Sequence, residues 1–295
     1  MLNSQNFFVG KMSNNNIFSK FELFLFDGDG VLYKEDDPIS GATELLNELQ
    51  RQGKKFCIVT NNSTKTREEF RVKLANMGIK IDVSHIFTSA YLTALEISKE
   101  SPKATIYVIG EEGLKRELLN AGLRVINLDP EPNTVDVWDI ALEDVDYVVT
   151  GMDRTLTYVK LARAMNILMN KSKNVKFIAT NGDITFPTPE GLIPGGGAMI
   201  QILETLSGRK VERIIGKPQP LMYNLAIELS GVKKDKTLMI GDRLETDIVG
   251  AKKAGITACF VLTGISKTSE IELLPSEYQP DILVNDLTDI LDALK

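Results

Sequence analysis

Four short segments of the chain carry residues able to do chemistry, and each one closes an apolar run. Asp27-Gly28-Asp29-Gly30 follows residues 21–26, and Thr60-Asn61-Asn62-Ser63-Thr64 ends the run that starts at Lys55. Gly216-Lys217-Pro218 follows 213–215, and Gly241-Asp242-Arg243, with Asp247 shortly after, follows 237–240. Asp27 and Asp29 are two apart, so on an extended backbone their side chains leave on the same side. Close carboxylates repel, and without a cation between them one is driven to keep its proton. With Asp242 nearby a divalent metal relieves the repulsion, and an all-oxygen set without His or Cys favours Mg²⁺ over zinc. Thr60, Asn61 and Asn62 open onto a helix that Thr66 can cap, where amide groups suit phosphate oxygens. Lys217 supplies a point positive charge for the same oxygens. A carboxylate nucleophile, a second carboxyl for proton transfer, a metal and a phosphate cradle together describe phosphoryl transfer through an aspartyl-phosphate.

Such residues meet only if the elements beneath them form one sheet. Short apolar runs at 21–26, 55–60, 105–109, 147–150, 175–180, 213–215, 237–240 and 258–262 read as buried strands. Amphipathic stretches lie between them, near 41–52, 66–78, 90–99, 113–121, 157–170, 198–206, 220–229 and 245–254. The alternation predicts an α/β fold, a Rossmann-like doubly wound parallel sheet with helices on both faces. Ligands of such sheets bind beyond the carboxyl ends of the strands, where all four segments fall. Far more chain separates Thr60 from Lys217 than one strand–helix step requires, and it has its own strands and helices. The expected organisation is a polar extension over 1–20, a core from 21–100 and 209–295, and an inserted α/β cap domain over 101–208.

Composition narrows the partners. With 34 Lys and Arg against 40 Asp and Glu the net charge is −6. That argues against nucleic acid or an anionic membrane surface as the main partner. No apolar stretch is long enough to span a bilayer. Cys57 and Cys259 are too few for a disulfide framework and sit in apolar runs. A cytoplasmic protein is the expectation. The first twenty residues, rich in Asn, are neither a transit peptide nor a secretory signal and read as a frayed or partly helical extension. The single histidine, His85, has no partner for a ligand role in sequence reach. Met165 and Met169, one helical turn apart, read as facing a core. Trp138 reads as cap core or a dimer contact, and the acidic residues Asp129, Asp136, Asp139, Glu143, Asp144 and Asp146 as a solvated face.

The four segments together, FDGDGVL at 26–32, VTNNSTK at 59–65, GKP at 216–218 and IGDRLETD at 240–247, resemble the four motifs of the haloacid dehalogenase superfamily of phosphatases. The similarity is nearest to the branch of 4-nitrophenylphosphatases, phosphoglycolate phosphatases and pyridoxal phosphatases with a large inserted (C2-type) cap, and it extends to TNGD at 180–183 and PGGG at 194–197. The resemblance implies roles position by position. Asp27 is the nucleophile and a metal ligand. Asp29 is the general acid and base, with its backbone carbonyl on the metal. Thr60 and Asn61 hold the transferring phosphoryl group and Lys217 neutralises it. Asp242 is the second metal carboxylate, and Asp247 orients the metal shell. Gly28 departs from the cysteine common in near relatives, at a position whose side chain is not catalytic. A homodimer through the cap is also implied.

The expected activity is Mg²⁺-dependent hydrolysis of a small phosphorylated metabolite, such as phosphoglycolate, pyridoxal phosphate or a sugar phosphate. Candidate substrate contacts from the cap are Met152, Asp153, Asn181 and Asp183, with Phe186 and Pro187 close by in sequence; Asp153 and Asp183 could equally cap turns. Two other classes stay open. A receiver-like signalling module also uses a phosphorylatable Asp with further acids, a Thr and a Lys, and a non-catalytic scaffold could keep the same fold. Turnover of 4-nitrophenyl phosphate separates an enzyme from both.

Overall fold

A computed structural model describes residues 8–9, 17–128, 144–188 and 190–295. Trp138, Asp129, Asp136, Asp139 and Glu143 lie outside the described residues. The chain divides into two compact units. The first holds the chain through Thr60, Phe70–Phe87 and Lys217–Lys295, and the second holds Asn61–Glu69 and Thr88–Gly216. No helix among the described residues is long and apolar enough to cross a membrane.

The first unit is built on a seven-stranded sheet in the order Phe8–Val9, Ile282–Val284, Thr257–Val261, Thr237–Gly241, Leu23–Phe26, Lys55–Thr60, Ile86–Thr88. Pairing is parallel from the first of these through Lys55–Thr60. Strands Leu23–Phe26 and Thr237–Gly241 are buried at every residue, so helices must cover both faces, and their sequences run apolar without alternation. Phe24, Phe26, Phe56, Ile58, Leu238 and Ile240 share the core with Leu45 and Leu49 of helix Ala42–Arg51. Each such side chain contributes about 1.5–3 kcal/mol by leaving water. From Leu23–Phe26 the early chain builds outward on one side, while the late chain returns at Thr237–Gly241 and builds outward on the other. These two adjacent strands form the switch point of the sheet, where the crevice of a doubly wound fold opens. Asp27 and Asp242 are the residues that follow them.

The second unit has its own five-stranded sheet, parallel throughout, in the order Arg213–Ile214, Lys176–Ala179, Tyr147–Thr150, Thr105–Ile109, Arg124–Val125. Tyr107, Val148 and Phe177 meet Ala164, Ile167 and Leu203 of helices Tyr158–Met169 and Gly196–Ser207 in its core. This unit reaches beyond 101–208, taking in helix Ser89–Glu100 and the segment Asn61–Glu69. That segment carries the cap expected at Thr66, closed into a box by Glu69. Thr66 Oγ1 accepts from Glu69 N at 3.1 Å, and Glu69 Oε2 accepts from Thr66 N at 2.8 Å, which starts helix Arg67–Asn76.

Three expectations need correction. The four segments do not all close strands of one sheet: Arg213–Ile214, before Lys217, pairs with Lys176–Ala179 as the last strand of the second sheet. Phe8–Val9 pairs in parallel with Ile282–Val284 as the outermost strand of the first sheet, in place of a frayed or helical stretch. The edge of Ile282–Val284 offers unpaired backbone groups, and a Phe-Phe-Val run is a good strand former. Met165 and Met169 do not face a core: Met165 is half-buried and Met169 is 52% exposed. The buried face of Tyr158–Met169 runs instead through Val159, Arg163, Ala164, Ile167 and Leu168. The sequence reading also passed over the short strands Ile86–Thr88, Arg124–Val125 and Ile282–Val284, and the hairpins Tyr33–Lys34 with Asp37–Pro38 and Thr185–Thr188 with Gly191–Pro194.

Candidate active site

Three carboxylates gather at the switch point of the first sheet. Asp27, Asp242 and Asp247 are all buried, and each offers an oxygen within 4.8 Å of the others. Lys217 stands against two of them, with Nζ 2.6 Å from Asp27 Oδ1 and 2.8 Å from Asp247 Oδ1, and it donates to Val59 O at 3.1 Å. Burial opposes the ammonium charge, but Asp247 and Asp27 outweigh it and hold Lys217 above its ordinary pKa. Three acids thus face one ammonium, which leaves two negative charges over.

The surplus has consequences for the acids. Asp242 is pushed well above the usual carboxylate range, by burial first and then by the charges of Asp247 and Asp27. Asp247 is raised too, by burial and Asp27, with Lys217 pulling the other way. Asp242 Oδ2 accepts from the amide of Ile265 at 2.9 Å, whereas Oδ1 is buried with no hydrogen-bond partner among the described residues. Leaving such an acceptor unmet costs about 1–3 kcal/mol or more. A hard divalent cation meets both demands, since oxygen donors are what Mg²⁺ prefers and two positive charges cancel the excess. The residues present therefore fit a divalent ion, with Asp27, Asp242 and Asp247 as the available carboxylates.

Sequence reasoning missed the loop that cradles Asp242. Thr263–Ser266 follows strand Thr257–Val261, and a Cβ at Gly264 would lie 1.9 Å from Asp242 Oδ2, so only glycine lets the carboxylate seat there. Thr263 Oγ1 ties the same loop to Gly30 O at 2.6 Å. The available signal was position alone: this loop follows a strand of the same sheet, beside Thr237–Gly241. A second group missed is Tyr223, whose hydroxyl donates into the turn that carries Asp247.

Asp29 stands apart from the triad. Strand Leu23–Phe26 ends before Asp27, so the alternation rule does not extend to Asp29, which is exposed and bridges to Tyr33. Its carboxyl is nonetheless raised, by the protein around it and then by the charge of Asp27, which favours a proton on it. Gly28 has a local reason to be glycine: a Cβ there would lie 2.7 Å from Tyr33 Oη. Thr60 is buried at the end of its strand. His85 lies under the same strand, stacked on Phe56 at 4.3 Å between ring centres, with Nδ1 2.8 Å from Phe56 O.

The second unit brings a different group together. Asn61 Nδ2 and Asn181 Nδ2 both donate to Asp183 Oδ2, at 2.8 and 2.7 Å. Asn62 Oδ1 accepts from the amides of Thr64 and Lys65 and so shapes the turn before the helix. Asp153 belongs to neither group. Its Oδ1 accepts from Thr155 N and Oγ1, and its Oδ2 pairs with Lys160 Nζ at 2.8 Å, fully buried. Met152 is buried beside it, with its amide 3.4 Å from Ser63 Oγ.

Comparison with known proteins gives the family. Residues 24–124 match the family model of haloacid dehalogenase-like hydrolases, and residues 214–290 match a second model of the same hydrolase class. An acid sugar phosphatase of Staphylococcus aureus is 37% identical over 253 residues, covering 86% of this chain and 91% of that protein. The crystal structure of a 4-nitrophenylphosphatase from Thermotoga maritima superposes with a TM-score of 0.83 at 33% identity, covering 94% of this chain and 99% of that one. A glycerol phosphate phosphatase from Mycobacterium tuberculosis, crystallised with magnesium, gives 0.80 at 29% identity, over 92% and 78%. The chain belongs to the haloacid dehalogenase-like hydrolases, in the 4-nitrophenylphosphatase branch that carries an inserted C2-type cap.

Proposed function

We propose that this phosphatase hydrolyses small phosphate monoesters with Mg²⁺ bound among Asp27, Asp242 and Asp247, through an aspartyl-phosphate on Asp27. The observation that carries the proposal is the buried excess of carboxylate over ammonium, with Asp242 Oδ1 left unpartnered. Bound Mg²⁺ supplies charge neutralisation for the incoming dianion and the leaving oxygen. Lys217 stands 2.6 Å from Asp27 Oδ1 and brings its own charge beside the phosphoryl oxygens. An Asp27 oxygen forms the new bond to phosphorus as the bond to the ester oxygen breaks, and the raised Asp29 carboxyl gives its proton to that departing oxygen. Asp29 then takes a proton from water as the water oxygen attacks phosphorus, which releases inorganic phosphate and restores Asp27. Such proton transfer is worth about 10²–10⁴-fold. Thr60, with Asn61 and Asn62 following it, holds the phosphoryl group.

Of the cap residues expected to touch substrate, Asp153 has both oxygens engaged within its own turn, and Asn181 donates to Asp183. Sugar phosphates and glycerol phosphate head the substrate classes, because proteins named for them are among the relatives. A panel of phosphate monoesters that includes phosphoglycolate and pyridoxal phosphate, assayed with Mg²⁺ and with EDTA, tests the proposal. Hydrolysis in Mg²⁺ alone is expected. Equal rates in EDTA, or no turnover of any ester, would contradict it, the latter favouring a receiver-like or scaffold role.

A further inference from the structure

Asp247 enters the carboxylate cluster from an unusual piece of backbone. Residues Leu244–Ile248 form a wide π-helical turn in which the amides of Asp247 and Ile248 both point at Arg243 O, at 3.0 and 3.3 Å. A wide turn leaves carbonyls without their regular partners, and such turns concentrate at functional positions. Here Tyr223 supplies an added donor, beside the amide of Val249 that also reaches Thr246 O. Its ring is fully buried on helix Pro220–Ser230, and its hydroxyl is shared between Thr246 O at 3.0 Å and Asp247 O at 3.2 Å. Gly250 makes room for it, since a Cβ there would lie 2.5 Å from the Tyr223 Oη. On the opposite side Asp247 presses on Gly241, where a Cβ would lie 2.2 Å from its own. Asp247 Oδ2 accepts from Arg243 N at 3.1 Å and Oδ1 faces Lys217. The turn therefore has no slack: a small rotation moves the Asp247 carboxylate off Lys217 and out of the cluster.

We propose that the Tyr223 hydroxyl is a positioning group for divalent-cation binding, fixing the Leu244–Ile248 turn so that the Asp247 carboxylate stands with Asp27 and Asp242. The helix that carries Tyr223 begins three residues after Lys217, so one rigid element sets both the ammonium and the turn its partner sits on. This rests on the proposed cation site. Tyr223→Phe keeps the ring and removes only the hydroxyl, and Gly250→Ala crowds the hydroxyl while leaving it on the chain.

The test is calorimetric titration of Mg²⁺ into the wild-type protein and both variants, with thermal unfolding in EDTA measured alongside. Both variants are expected to bind Mg²⁺ about three- to tenfold more weakly, the range set by losing one hydrogen bond. Unchanged Mg²⁺ affinity in Tyr223→Phe would overturn the inference and leave the hydroxyl a purely structural role, as would failure of that variant to fold while Gly250→Ala binds normally. A wild-type protein that takes up no Mg²⁺ would break the cation site itself, a result distinguishable from the other two.

Discussion

Asp153–Lys160 in the second unit and Asp27–Lys217 in the first are both buried carboxylate–ammonium pairs just beyond the ends of parallel strands. The first of these is closed. One acid meets one ammonium, Lys160 finds its remaining acceptors in Thr155 O and Oγ1, and both Asp153 oxygens are engaged. The other is open. Lys217 faces two acids, a third stands beside them, and Asp242 Oδ1 has no partner among the described residues. Burial and pairing are shared, so neither marks a functional site. Charge balance and satisfaction of every lone pair separate the two, because a stable fold selects for closure while a site that takes a cation must forgo it.

The largest effect should come from the open cluster. Asp27→Asn keeps the shape and removes the nucleophile, so activity on phosphate monoesters should fall by more than about 10⁴-fold with little change in unfolding temperature. Substantial residual turnover would break the distinction at its functional end. Lys160→Met probes the closed pair. It strands a buried carboxylate and should cost about 3–5 kcal/mol of stability in urea unfolding. A loss below about 1 kcal/mol would mean that Asp153–Lys160 is not the structural device described.

The open cluster should respond to pH in the opposite sense to an ordinary ion pair. Asp242 and Asp247 have folded-state pKa values raised above their ordinary value of about 3.9. An acid raised on folding costs stability above its folded pKa, and the cost disappears as pH falls toward the unfolded value. Metal-free wild-type protein should therefore gain stability relative to Asp242→Asn as pH is lowered from 8 to 5. In EDTA near neutral pH the variant should be the more stable by about 1–3 kcal/mol, and Mg²⁺ should reverse the order. Denaturant unfolding of both proteins across that pH range, with and without Mg²⁺, reads this directly. The smallest effect is expected outside both clusters: Thr66→Ala removes one half of a capping box and should cost about 1 kcal/mol.

The core strands were legible because a parallel sheet buried on both faces must run apolar without alternation, as at 23–26 and 237–241. Asp27 and Asp242 were legible for the related reason that ligands of such sheets gather past strand ends, whereas the strand before Lys217 belongs to the second sheet, so that rule does not account for its place. What escaped depended on local geometry that residue types do not encode. Asp29 leaves the triad because its strand stops short. Asp247 was named as orienting the metal shell, but that its carboxylate stands within reach of Asp27 and Asp242 follows from the wide turn at Leu244–Ile248, which residue types do not announce. The cradle at Gly264 and Ile265 carries no acid, base or phosphate signature, so only the placement of its strand beside Thr237–Gly241 could have marked it. Met169 was misplaced because the buried stripe of its helix includes the polar Arg163, which shifts the stripe from where apolar spacing alone would set it.

The central claim, that Asp27 carries the phosphoryl group, is open to one direct measurement. The enzyme is mixed with a ³²P-labelled phosphate monoester and Mg²⁺, quenched in acid during turnover, digested, and the labelled peptide sequenced. A hydroxylamine-labile label on the peptide containing Asp27, absent when EDTA replaces Mg²⁺, is the expected result. Full turnover with no label at Asp27, or with the label on another residue, would contradict it.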